Sequence, residues 1–336
     1  MPCLMHRFPV FAASLIRRLS EDPGDASSLG TVQCLHELHR SAAALRATGV
    51  TLPAWEDAFG GQPMAPNDIA VDPGEHKHGW QYRVSCELET LEREAMLIRL
   101  SESDRARVRS CGGHHNALWL TAAPTMDALR LRNPVLQALL RRRLGLPIIA
   151  LPERCEAASC RREVDAYGFH RSACTRTGRI HGRHAACLGP WRIVLEEAGY
   201  RVRAERLLRD TNVSVGQGDL RRMDLVAAPG ARGPGAHRGR ALFCDVSVVS
   251  PQTRDGAARP GAANRDGAVL NAVLQRKRER YSDVVRSGVS HLVVLGCEVY
   301  GHWCTDAVDL IRQLVRCKVR DAPAALRGAA SQAWTR

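Results

Sequence analysis

The sequence predicts a mixed α/β protein, and three observations support that prediction. Hydrophobic residues make up 45% of the 336 residues and charged residues 25%, which is typical of a folded globular chain. From about residue 184 onward, apolar residues alternate between helical steps of three or four and strand-like runs. These patterns give the element order α-β-β-β-α-β-α. No run approaches the roughly 20 apolar residues of a membrane helix, so no membrane partner is expected.

The first part of the chain, residues 1–150, is predicted to be mainly helical, and no chemistry is assigned to it. Helical spacing dominates residues 1–60. A second helical run rich in Glu and Arg covers residues 85–109, and a basic helix covers residues 133–144. A Gly/Pro-rich break at residues 60–74 separates the first helical region from the rest.

The second part of the chain carries the clearest secondary-structure signals. The predicted elements are a helix at 184–198, strands at 200–207, 222–228 and 241–249, a basic helix at 267–286, a strand at 291–299 and a final helix at 304–317. Gly199 is expected to end the first of these helices, because glycine readily adopts the left-handed conformation of a helix C-terminus.

Positive charge is concentrated in this second part. Residues 1–150 hold 17 basic and 16 acidic side chains, whereas residues 151–336 hold 31 basic and 19 acidic. A positive field of domain size favours a polyanionic partner. Acidic lipid is the competing polyanion, but the basic residues are scattered over strands and loops and do not form one amphipathic helix. The charge distribution therefore favours nucleic acid.

A group of cysteine and histidine residues precedes these elements, in the pattern C-x4-C-x9-H-x3-C. Its members are Cys155, Cys160, His170 and Cys174. Three thiolates and an imidazole in two short pairs can form a tetrahedral zinc site. Cys187, His181 or His184 could replace one of the four, so the ligand set is less certain than the site itself.

Two acidic residues and one lysine stand out within the predicted strands and helices. Asp224 begins a strand, and Asp245 interrupts an apolar strand, where a carboxylate needs a divalent metal or an ion pair to compensate it. Lys277 is one of only three lysines among 48 basic residues, and it shares a helix face with Tyr281 at i, i+4. A solvated basic helix is the alternative interpretation of this last motif.

Together these residues resemble the restriction-like endonuclease region at the carboxyl end of non-LTR retrotransposon polyproteins. The matching motifs are the Cys/Cys/His/Cys knuckle, Arg183-His184, Ala198-Gly199, Glu205, Arg222-Met223-Asp224, Asp245-Val246-Ser247-Val248 and Lys277 to Tyr281. The resemblance implies a PD-(D/E)xK restriction-endonuclease-like core of order α-β-β-β-α-β. It also implies a zinc knuckle at 151–183, a nuclease domain at 184–320 and a flexible tail at 321–336.

The resemblance further implies a metal-dependent DNA endonuclease that makes nicks. In that interpretation Asp224 and Asp245 bind Mg²⁺ or Mn²⁺, Glu205 is a third acid, Lys277 assists hydrolysis, and Tyr281 hydrogen-bonds or packs against the site. Structural Zn²⁺ would occupy the knuckle. DNA is the implied partner, with the RNA of the element as a second candidate, and the implied location is the nucleus.

The sequence departs from the family pattern in several ways. The first cysteine spacing is x4 where x2 is common, Met223 replaces a proline, and Arg280 replaces a second lysine. Ser247 stands where the parent PD-(D/E)xK pattern has its lysine. No polymerase motif occurs in the sequence, so we expect a stand-alone or remnant nuclease region. The alternatives are an inactive zinc-knuckle protein that only binds nucleic acid and an enzyme similar to Holliday-junction resolvases.

Overall fold

The computed structural model describes residues 40–41, 43–51, 80–113, 116–121, 127, 130–149, 153–230, 239–321 and 323. The chain divides into two compact units, Met1–Arg99 and Leu100–Arg336. The helices predicted before residue 40, the break at 60–74 and nearly all of the predicted tail lie outside the described residues. None of the helices in the described ranges is long and apolar enough to cross a membrane.

In the first unit, helix α1 (Trp80–Arg99) packs on a short helical stretch near residue 45. Leu45 and Val50 are buried there against Leu88 of α1. The backbone N–H of Thr51 donates to the Glu87 carboxylate at 2.9 Å.

The second unit begins with three helices. They are α2 (Glu102–Ser110), α3 (Leu118–Thr121) and α4 (Asn133–Leu144). The single helix predicted over 85–109 is in fact α1 and α2, because the Ser101 side chain accepts the Asp104 N–H and begins a new helix. Helix α4 has the predicted bounds, and it ends where Gly145 adopts a φ of +73°.

A small hairpin and a short helix come next, followed by a central sheet. The hairpin strands are β1 (Glu153–Arg154) and β2 (Glu163–Val164), and the short helix is α5 (Phe169–Ala173). The sheet strands are β3 (Tyr200–Leu207), β4 (Arg222–Pro229), β5 (Ala241–Val249) and β6 (Ser290–Glu298). They lie in the order β3-β4-β5-β6, antiparallel except for the parallel pair β5–β6. The predicted mixed α/β class is confirmed.

Four helices flank this sheet. They are α6 (Arg179–Glu197), α7 (Ala268–Arg280), α8 (Ser282–Arg286) and α9 (Thr305–Asp321). Helices α7 and α8 lie in the crossover that joins the parallel strands β5 and β6. The helix predicted over 267–286 is interrupted at Tyr281, whose backbone is not helical. Helix α6 begins before the predicted residue 184, after Gly178 with its φ of +67°.

The main core lies between the sheet and helices α6 and α9. It includes Leu195 of α6, Leu242 and Cys244 of β5, and Leu310 of α9, none of which is more than 2% exposed. A second cluster contains Phe243 and Tyr281. Tyr281 is only 2% exposed, so the end of α7 is anchored in the core. Asp245, two residues after Phe243 on β5, lies on the same face of the strand as this second cluster.

Residues 100–149 belong to the same unit as the sheet, whereas the sequence-based boundary lies at 150. Gln252 Nε2 donates to the Ser103 carbonyl and Arg109 Nε to the Ala263 carbonyl, each at 3.0 Å. Helical periodicity shows that a segment is helical, but it does not show which distant loop covers the helix.

Candidate metal centre and candidate active site

The four cysteine and histidine residues predicted as zinc ligands come together in the structure. Cys155, Cys160, His170 and Cys174 each direct one ligand atom to a common point, and these atoms lie within 4.8 Å of one another. Sγ of Cys174 lies 3.9 Å from Sγ of both Cys155 and Cys160. A zinc–sulfur bond of about 2.3 Å in a tetrahedron separates two sulfurs by about 3.8 Å. The cluster could therefore bind a metal such as zinc.

Local backbone geometry brings the two ligand pairs together. Cys155 follows β1 and its N–H donates to the Arg162 carbonyl at 2.8 Å, which closes the hairpin that also carries Cys160. The Asp165 carboxylate accepts the N–H of His170 at 2.7 Å and so holds the start of α5. A hydrogen bond from the backbone N–H of Arg162 lowers the pKa of Cys160, which favours the thiolate that binds metal.

The alternative ligands lie elsewhere. Within the described ranges, the group of four is the only set of three or more potential metal ligands within reach of one another, and it does not include His181, His184 or Cys187. His184 instead contacts Asp224. The ligand set favoured by the spacing is thus the one that the structure assembles.

Three acidic residues lie on neighbouring strands of the sheet. Leu225 pairs with Cys244 at the end of the β4–β5 ladder, and Asp224 and Asp245 are the next residues along the two strands. On the other side of β4, Ala204 pairs with Leu225 and Arg206 with Met223, so Glu205 lies between these pairs on the strand next to Asp224. Like charges on neighbouring strands destabilise a sheet unless something compensates them.

Asp224 is compensated by hydrogen bonds to one of its oxygens. His184 Nε2 lies 3.0 Å from Asp224 Oδ2, and the backbone N–H of Val246 donates to the same oxygen at 2.6 Å. Burial raises the pKa of Asp224, and the charge of Asp245 adds to this effect, against the opposing contributions of His184 and Val246. The sequence named His184 only as an alternative zinc ligand, not as a neighbour of Asp224. The Arg183-His184 motif was the sequence signal that associated it with the acidic residues.

Asp245 is compensated by the lysine that was singled out in the sequence. Lys277 Nζ lies 2.8 Å from both oxygens of Asp245, which is 2% exposed. The Ser247 hydroxyl, two residues along the same strand, donates to Asp245 Oδ2 at 3.1 Å. Of the two compensators that the sequence allowed, an ion pair and a divalent metal, the ion pair is present.

The remaining predicted site residues have different surroundings. The Tyr281 hydroxyl donates to the Arg222 carbonyl at 3.1 Å, and burial, with the nearby charge of Asp245, raises its pKa. The Glu205 carboxylate forms an ion pair with Arg222 at 2.7 Å. Glu205 has a φ of +54°, a left-handed conformation that is rare for residues other than glycine.

A cleft of about 420 Å³ opens beside these residues. It is lined by Ile180 and His184 of α6, residues 246–249 of β5, and Val273, Arg276, Lys277 and Arg280 of α7. No carboxylate is among these described lining residues, so the cleft is cationic. Asp224 and Asp245 do not line the cleft themselves. They contact two residues that do, His184 and Lys277 respectively.

The sequence-predicted residues thus form two groups, a Cys/His cluster and an Asp/Asp/Lys group beside the cleft. No protein family model matches the chain, and no curated protein matches it. The side-chain geometry of these two groups is therefore the basis for inferring function.

Proposed function

We propose that this protein is a metal-dependent DNA endonuclease that nicks one strand, built on a PD-(D/E)xK core like the retrotransposon region that its motifs resemble. One arrangement supports the proposal most. Asp224 and Asp245 lie on adjacent strands, each one residue beyond the pair Leu225–Cys244, and Lys277 contacts Asp245 from a helix. Two acids and a lysine from three elements, beside a cationic cleft, are a set that can hydrolyse a phosphodiester.

The donor set of Asp224 and Asp245 fits Mg²⁺ or Mn²⁺. Magnesium in phosphoryl-transfer sites is commonly held by one or two carboxylates, with waters and phosphate oxygens as its other ligands. When bound, the metal would polarise the phosphate and lower the pKa of a water molecule. Glu205 could add a third carboxylate only after leaving Arg222, its present partner. The two aspartates are therefore the protein ligands that we propose.

Lys277 would act at the reacting phosphate. Its ammonium lines the cleft and is 26% exposed, while Asp245 beneath it is almost fully buried. A compact ammonium in that position can stabilise the negative charge that develops on the phosphorane or help to deprotonate the attacking water. Ser247 occupies the position of the parent-pattern lysine and donates to the same acid. The helix-borne Lys277 would thus replace a strand-borne lysine.

Two further residues would hold this arrangement in place. His184 fixes the orientation of Asp224 through Oδ2. Tyr281 anchors the end of α7 in the core and donates to the Arg222 carbonyl at the start of β4. Both residues would keep the lysine and the two aspartates in register.

We assign the Cys/His cluster a structural role with zinc. Arg183 Nη2 of α6 donates to the carbonyl of Ser172 in α5 at 2.5 Å, and Arg142 of α4 contacts the Ser172 hydroxyl. The cluster is thereby tied to the helix that carries His184. Zinc would hold this segment folded. Residues 151–336 contain 31 basic and 19 acidic side chains, and this excess of positive charge would attract the DNA backbone.

A second candidate function is DNA binding without cleavage, and one observation favours it. Lys277 forms an ion pair with Asp245 and His184 contacts Asp224, so both acids are compensated by protein side chains. A decayed or domesticated nuclease could retain this arrangement for stability alone.

A plasmid assay separates the two candidates. We expect the purified protein to nick supercoiled plasmid with Mg²⁺ or Mn²⁺, and EDTA to abolish nicking. Asp224→Asn and Asp245→Asn should bind DNA but leave the plasmid intact. A folded, zinc-loaded wild-type protein that binds DNA and never nicks it would support the second candidate instead.

A further inference from the structure

Helix α7 carries four consecutive or nearly consecutive cations with different partners. Lys277 pairs with Asp245, and Arg278 Nη2 lies 2.9 Å from Asp306 Oδ1. Arg276 and Arg280 form no ion pair with any carboxylate in the described part of the chain, and both are exposed. Within the described residues, α7 therefore carries two cations paired with carboxylates, Lys277 and Arg278, and two that are not, Arg276 and Arg280.

The two unpaired arginines lie on the same helix face and line the same cleft. Arg276 and Arg280 are four residues apart, so their side chains are neighbours, with Cβ atoms about 5–6 Å apart. Both line the cleft with Lys277 and His184. Like charges at this spacing repel each other, which costs stability unless an anion lies between or beside them.

Most of the guanidinium donors of these arginines have no acceptor among the residues that the structure describes. Arg276 Nε donates to the Ala272 carbonyl of its own helix at 3.2 Å, and the Arg280 guanidinium lies 5.6 Å from the centre of the Tyr281 ring. Among the described residues no further acceptor faces either group. Each guanidinium therefore has one contact with the described protein, and its remaining N–H groups can donate to a ligand.

We propose that Arg276 and Arg280 form a phosphate-binding site that holds successive phosphates of the DNA strand next to the one that is cut. This inference rests on the proposed function for its substrate. Guanidinium matches the geometry of a phosphate with paired hydrogen bonds. The separation of the two arginines along the helix is comparable with that of neighbouring phosphates along one strand.

The cleft floor indicates what part of the DNA lies there. Residues 246–249 and Val273 are mainly valine, and they offer apolar contact to deoxyribose but few hydrogen-bonding groups that could read a base. Binding at Arg276 and Arg280 is therefore independent of sequence. It holds the strand along the face of the helix beside Lys277.

The test measures DNA binding without cleavage. Fluorescence anisotropy with two short duplexes of unrelated sequence, in EDTA and over a series of salt concentrations, is measured for the wild type, Arg276→Gln, Arg280→Gln and Arg278→Gln. Each cleft variant is expected to reduce the salt slope of log affinity by about 1, equally for both duplexes, and the double variant by about 2. Arg278→Gln, on the same helix but paired with Asp306, is expected to match the wild type.

The outcomes separate this inference from the proposed function. If Arg276→Gln and Arg280→Gln show the same salt dependence of affinity as Arg278→Gln, the phosphate site is contradicted, even if the protein nicks plasmid. A loss confined to one duplex would also overturn it, because that result indicates base reading. If the cleft variants show the expected reductions in slope but the wild-type protein never nicks plasmid, the phosphate site is supported and the proposed nuclease activity is contradicted. Melting temperatures of the exposed variants serve to exclude unfolding as a cause.

Discussion

Lys277 Nζ lies 2.8 Å from both carboxylate oxygens of Asp245, a residue 32 positions away in sequence. The Asp245 side chain is 3% exposed and the Lys277 side chain 26% exposed. The pair is therefore buried on the acid side and open to the cleft on the lysine side. This asymmetry gives the pair a role in stability and allows a role in chemistry, and the two roles can be tested separately.

Removing the lysine charge should destabilise the protein. Lys277→Met leaves Asp245 buried and without its cation, and loss of one partner of a buried pair costs about 3 kcal/mol. We expect the free energy of unfolding, measured by urea denaturation, to fall by about that amount. Lys318→Met is the matched control, since Lys318 pairs with a more exposed carboxylate, that of Glu197. Its effect should stay below about 1 kcal/mol.

Equal stability of the Lys277→Met and Lys318→Met proteins would contradict the structural role of the ion pair. The Asp245 carboxylate would then need another source of compensation within the folded protein.

The Cys/His cluster should bind about one zinc ion per chain with high affinity. Cys160→Ser and His170→Ala each remove one of the four ligands and should lose the metal in elemental analysis after dialysis against a chelator. Cys86→Ser provides a control, because Cys86 is a free cysteine outside the cluster. Full zinc retention by both ligand variants would mean that the metal is held elsewhere.

His184 should act by positioning Asp224. His184→Ala removes the contact with Asp224 Oδ2 and should reduce nicking at least tenfold, while His184→Gln retains a side-chain donor and should restore part of the activity. His181→Ala, an exposed residue of the same helix, should be silent. The measurement is the initial rate of plasmid nicking at saturating DNA. Equal rates for the alanine variants of both histidines would remove His184 from the site.

Several parts of the fold and the site were predictable from local sequence patterns. The strand bounds at 200–207 and 241–249 follow from alternation and from an apolar run, and both agree with the structure. Asp245 was recognisable because a carboxylate in a buried strand requires compensation. The Cys/His cluster was recognisable because ligand spacing is short and local.

Other parts depend on tertiary contacts that leave no local pattern. The contact of His184 with Asp224 joins residues 40 positions apart, and neither periodicity nor spacing predicts it. The proximity of Asp224 to Asp245 depends on how β4 and β5 pair at Leu225 and Cys244. Glu205 combines an ion pair with Arg222 and an unusual backbone conformation, and no local pattern predicts either. Such features become visible only once the strands are assembled.

The participation of Lys277 in catalysis can be measured with the Lys277→Arg variant. Arginine preserves the charge and the helix propensity, so Asp245 keeps a cation and the protein should stay folded. Guanidinium is bulkier than ammonium and does not deprotonate, so plasmid nicking with Mg²⁺ should fall at least tenfold, whereas Lys318→Arg should nick like the wild type. An active wild type with an equally active Lys277→Arg variant would contradict the assignment of Lys277 to the reaction.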